Sequence, residues 1–125
     1  NMEPHTRLVQ MRRKCGLTQQ EVAEYLGISR NTLASYESGK TPLPATMFIR
    51  LSKLYKCDVF DIYHVHTDNL IYDVPKSELF LAHAEYRVGE IRKIDIEMGI
   101  EMPDEYYDKK IKEMCEELAR YAKEV

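Results

Sequence analysis

The chain has 125 residues, 44% of them hydrophobic and 31% charged, with no Trp, a composition that fits a soluble globular protein able to bury a core without staples. No apolar run approaches the ~18 residues of a membrane span, which excludes a spanning helix, and the cysteines Cys15, Cys57 and Cys115 are odd in number and widely spaced with no CxxC pair, which argues against a disulfide framework or zinc site. The formal charge of −3 hides an asymmetry: residues 1–66 hold nine Lys and Arg against six Asp and Glu, net +3, and residues 67–125 hold nine against fifteen, net −6, so only the front half suits a phosphate partner.

Asn1 ahead of Met2 reads as an added residue. No charged-then-apolar start of a secretory leader is present, and the expected compartment is a reducing cytoplasm. The first predicted helix covers roughly Thr6 to Lys14, with Leu8, Met11, Arg12 and Cys15 on one face. Thr18 followed by Glu21 is a capping box that starts a second helix, with Val22, Ala23 and Leu26 inward and Gly27 as its end. Ser29 then caps a third helix whose inward residues are Leu33 and Tyr36 and which closes before Gly39. Pro42 and Pro44 break the chain, Phe48, Leu51, Leu54 and Tyr55 repeat at helical spacing in a fourth helix, and Asp58 caps a short fifth with Val59, Phe60 and Ile62.

Residues 64–76 are polar with an alternating patch from Leu70 to Val74, a linker or short strand ended by Pro75. From Ser77 to Met98 the positions Phe80, Ala84, Val88, Ile91, Ile94 and Met98 form an amphipathic stripe. Gly99 and Pro103 stop that helix, and Asp104 caps a last one in which Tyr107, Ile111, Met114, Leu118, Tyr121 and Val125 follow alternating steps of four and three. The seam is too short for a coiled coil, and an antiparallel hairpin with the preceding helix is expected.

A short turn and the small Ala23 let the third helix cross the second steeply, so that its outer face fits the ~12 Å major groove of DNA. Arg30, Asn31 and Ser35 lie on that face. Arg bonds guanine bidentately and Asn does the same to adenine, each good pair giving roughly 1 to 3 kcal/mol of discrimination. Thr18, Thr32 and Lys40 are candidates for phosphate, aided by unpaired N–H groups at helix starts. Contact of Arg30 or Asn31 with phosphate instead of a base is the competing reading.

The stretch Leu17-Thr18-Gln19-Gln20-Glu21-Val22-Ala23, with Gly27-Ile28-Ser29, Leu33, Tyr36 and Glu37-Ser38-Gly39-Lys40, resembles the lambda and 434 repressor and Cro (XRE) family of helix-turn-helix regulators. The resemblance covers about half of the chain, from Thr6 to Tyr63. It implies a glutamine, here Gln19, against the DNA backbone beside the first reader residue, and an Arg12–Glu37 pair across the core as a scaffold. An exposed pair contributing ~0 to 1 kcal/mol is the alternative for Arg12 and Glu37. Residues 41–46 carry no charge, so an arginine for the minor groove is missing from the family's pattern.

The resulting expectation is an all-α chain: a five-helix lambda-repressor-like DNA-binding domain at 5–66, a linker at 67–76 and a helical hairpin at 77–125. Its expected function is that of a repressor binding a palindromic operator in double-stranded DNA as a homodimer, with Tyr107, Ile111, Met114, Leu118 and Tyr121 as the dimer contact. The other reading, from the net charge of −6 behind residue 66, is an antitoxin or partner-controlled regulator whose acidic helices grip another protein. His64 and His66 are expected in solvent, Cys15 and Cys115 as inert buried thiols, and Asp104 and Glu105 as complements to a helix dipole. No catalytic motif, metal site or cofactor loop is visible, so no enzyme is expected.

Overall fold

A computed structural model describes residues 4–65 and 76–124. Among these residues the chain is all-helical and contains α1 (Pro4–Lys14), α2 (Gln19–Leu26), α3 (Arg30–Glu37), α4 (Ala45–Leu54), α5 (Val59–Val65), α6 (Lys76–Glu97) and α7 (Asp104–Glu124). The chain divides into two compact units, 1–73 and 74–125. The alternating patch at 70–74 and His66 lie outside the described residues, as does the expected linker 67–76 except Lys76, which already begins α6.

In the first unit, local chemistry sets each boundary. Glu21 N–H donates to Thr18 Oγ1 at 3.1 Å and Thr18 N–H donates to Glu21 Oε1 at 3.0 Å, two donors at the start of α2 satisfied reciprocally. The Thr18 N–H, and after it the Thr18 side chain, hold the Glu21 carboxyl below its ordinary pKa. Gly27 takes φ 71°, Ile28 N–H reaches back to Ala23 C=O at 3.0 Å, and Ser29 Oγ accepts from Thr32 N–H at 3.1 Å to open α3. The α2–α3 connection is therefore three residues long, and the buried, small Ala23 lets the two helices approach closely.

Leu8, Val22, Leu26, Leu33, Tyr36, Leu43, Phe48, Leu51, Tyr55, Val59 and Ile62 form the core, with α2 against α3, α4 against α5, and α1 against both α3 and α5. Arg50 of α4 donates to Tyr25 C=O at 2.6 Å and Leu26 C=O at 3.0 Å, and lies 5.3 Å over the Tyr25 ring. It satisfies orphan carbonyls at the end of α2, a tie with no local sequence signature.

The second unit is a hairpin of α6 and α7. Tyr107 donates to Asp95 at 2.7 Å, and Arg92 meets Asp104 at 2.6 Å while its guanidinium lies 4.6 Å from the Tyr107 ring centroid. The stripe read along α6 is corrected here: Ala84 and Val88 are buried, as are Leu79 and Ala82, whereas Ile91, Ile94 and Met98 are exposed. Polar contacts through Arg92 and Asp95 occupy the inner side of that end, and the apolar chains fall beside it. Cys15 is likewise exposed rather than buried, because it follows the last residue of α1, and Cys115 is half-buried.

Candidate nucleic-acid interface

The start of α3 stands in solvent while its other side is anchored. Arg30 and Asn31 are exposed, Ser35 is half-buried, and Leu33, Tyr36 and Glu37 of the same helix are buried. The expected exposure therefore holds for two of the three candidate reader residues; Ser35 lies one turn further along, where α3 approaches the core and Ser35 C=O accepts from Thr41 N–H at 3.1 Å.

A hydrogen-bonded chain runs from the core to this surface. Glu37, its side chain 3% exposed, accepts from Arg12 Nε at 2.7 Å and Nη2 at 3.2 Å; Arg12 is 10% exposed and also donates to Leu17 C=O at 2.9 Å. The hydrogen bonds that Arg12 donates to Glu37 raise the Arg12 pKa against the opposing effect of desolvation. Glu37 Oε1 further accepts from Gln19 Nε2 at 3.0 Å, and Gln19 Oε1 accepts from Arg30 Nε at 3.4 Å. Glu37 thus fixes which end of the Gln19 amide faces outward, since a carboxylate only accepts. With Nε directed at Gln19, both terminal nitrogens of Arg30 are left for a bidentate partner, the geometry that matches guanine N7 and O6.

Beside this chain, Arg12, Arg13, Gly16, Leu17, Thr18, Gln19, Gln20 and Arg30 line an open groove at the start of α2. No carboxylate is among its lining residues, and a helix start favours an anion. Thr18 is exposed and Gln19 half-buried. Thr32 is half-buried with its hydroxyl 2.8 Å from that of Ser29, and Lys40 is exposed just beyond α3. Arg13 and Gln20 belong to this groove and were missed from the sequence; the basic last turn of α1, Arg12-Arg13-Lys14, of which Arg13 and Lys14 are exposed, was the available signal for Arg13. Among the described residues no group of His, Cys, Asp and Glu has the placement of a metal site.

In the hairpin, Tyr107 is buried and engaged by Asp95 and Arg92, and Ile111 is half-buried. Of the five residues expected to contact a second copy, Met114, Leu118 and Tyr121 line an open groove, together with His83, Arg87, Glu117 and Arg120. Tyr107 is consumed within the unit.

Comparison with family models matches residues 8–62 to the family described as helix-turn-helix. No curated protein and no solved structure matches the chain.

Proposed function

On the premise that residues 8–62 belong to the lambda-repressor-like helix-turn-helix family of DNA-binding transcription regulators, we propose that this chain reads a palindromic operator through α3 and acts as a repressor. The observation that carries this reading is the exposed Arg30 and Asn31 at the start of a helix whose Leu33, Tyr36 and Glu37 are buried. Arg30 and Asn31 supply the base contacts and Ser35 a short, less discriminating one. Thr18, Gln19, Thr32 and Lys40 hold phosphates, with Arg13 and Gln20 added by their place in the groove.

The chain acts as a dimer, with two reader helices one DNA turn apart. Met114, Leu118 and Tyr121 make the contact between copies. Their groove also carries Arg87, Arg120 and Glu117, both signs of charge on one patch, which lets a cation of one copy face a carboxylate of the other in a self-complementary two-fold contact.

Selection from random duplexes, followed by titration of variants at several salt concentrations, tests the reading. Arg30→Ala or Asn31→Ala is expected to relax preference at one base pair by about 1 to 3 kcal/mol, whereas Lys40→Ala weakens all sequences and reduces the salt slope by about one. Equal losses on every duplex from all three variants would refute base reading by α3.

A further inference from the structure

The loop joining α6 to α7 is surrounded by large apolar side chains that neither helix covers. Ile94 is 55% exposed, Ile96 64% and Met98 70% at the end of α6, and Ile100 and Met102 are exposed in the loop. The backbone makes this a defined tip. Gly99 turns at φ 76°, Gly99 N–H donates to Ile96 C=O at 3.1 Å, and Ile100 N–H donates to Asp95 C=O at 2.8 Å, a Schellman closure that returns Ile100 to the last turn of α6. Arg92–Asp104 and Tyr107–Asp95 tie the helices together directly beneath it.

From 94 to 105 the sequence contains Asp95, Glu97, Glu101, Asp104 and Glu105 and no Lys, Arg or His. Asp95 and Asp104 are engaged inside the hairpin. Glu97, Glu101 and Glu105 are exposed and have no ion pair among the described residues. Single exposed apolar residues are ordinary, but a concentrated set rimmed by charge marks a contact surface. The sign of the rim selects the occupant. A second copy of the tip would set Glu97, Glu101 and Glu105 against themselves, which suppresses that contact, and an anionic bilayer or a nucleic acid meets the same repulsion.

We propose that this tip docks a segment of another protein in which Lys or Arg residues flank large apolar side chains, the apolar groups seating on Ile94, Met98, Ile100 and Met102 and the cations pairing with Glu97, Glu101 and Glu105. This deepens the partner reading of the acidic helices and stands independently of DNA binding.

The test uses the full chain and a fluorescent 18-residue amphipathic peptide with Leu on one face and Lys on the other, alongside a twin with Glu in place of Lys. By anisotropy, the Lys peptide is expected to bind at least about tenfold more tightly than its twin, an increment of about 1.4 kcal/mol. Binding weakens as salt rises, and Met98→Glu and the double variant Glu97→Lys with Glu101→Lys each remove most of it. All three positions are exposed, and unchanged circular dichroism and duplex affinity verify that the variants are folded. Equal binding of both peptides, or undiminished binding by both tip variants, overturns the proposal. So does sedimentation in which the parent chain self-associates and Met98→Glu does not, which would make a second copy the occupant.

Discussion

Glu37 accepts three hydrogen bonds, two from Arg12 and one from Gln19, so its removal affects both the core and the proposed reader residue Arg30. Glu37→Gln leaves the buried Arg12 guanidinium without its counter-charge, and breaking such a pair costs about 3 kcal/mol. Urea unfolding is expected to register that loss, while Gln19→Ala leaves stability nearly unchanged and broadens base preference by releasing Arg30 Nε. A Gln19→Ala variant as unstable as Glu37→Gln would place Gln19 in the scaffold instead. The Arg12–Glu37 pairing was legible through the family resemblance. The inward hydrogen bond of Gln19 was not, because it joins residues 18 apart in sequence and depends on how α2 crosses α3. The thiols show the same limit of local pattern. Cys15, assigned to an apolar stripe, is exposed beyond the end of α1, while burial, with smaller contributions from Asp61 and Asp58, pushes the Cys57 thiol up to about 11. At pH 8 only about 0.1% of such a thiol is the reactive thiolate. Iodoacetamide is therefore expected to label Cys15 first and Cys57 last in the folded chain, an order checked by mass spectrometry and lost in denaturant.

At the scale of elements, the starts and ends of helices were the most legible feature, since each rests on two or three adjacent residues. Thr18 with Glu21, Gly27 and Ser29 occupy the capping positions read from the sequence. The face of α6 was less legible. Its apolar residues lie on more than one side over 22 residues, so periodicity alone could not choose the side that α7 covers. Two glycine substitutions separate conformational from steric causes. A Cβ at either Gly27 or Gly89 meets nothing within 4 Å, yet Gly27 sits at φ 71° and Gly89 is inside α6. Gly27→Ala is expected to lower stability by about 1 kcal/mol through the left-handed backbone. Gly89→Ala is expected to raise it by about 0.5 to 1 kcal/mol through helix propensity. Thermal melts of the two variants test the pair together, and equal shifts in the same direction would contradict this assignment.

For the whole molecule, the charge difference between halves was visible in the sequence, but what each part of the acidic half contacts was not. The groove at Met114, Leu118 and Tyr121 mixes Arg87 and Arg120 with Glu117, whereas the tip from 94 to 105 holds carboxylates alone. Like faces associate when charges of both signs alternate across a two-fold axis, and they repel when the sign is uniform. The two surfaces are therefore assigned different partners, and their variants should separate. Leu118→Asp places an unpaired carboxylate in the groove, and sedimentation is expected to show a dimer for the parent chain, as proposed, and a monomer for the variant. Because the second half-site then binds as an independent molecule, affinity for a palindrome falls by about a hundredfold or more, while affinity for an isolated half-site is retained. Met98→Glu at the tip leaves both measurements unchanged. A Leu118→Asp chain that remains dimeric, or that loses half-site binding along with the palindrome, removes the groove from its assigned role: the first result moves the contact to another face, and the second makes Leu118 a determinant of folding rather than of assembly.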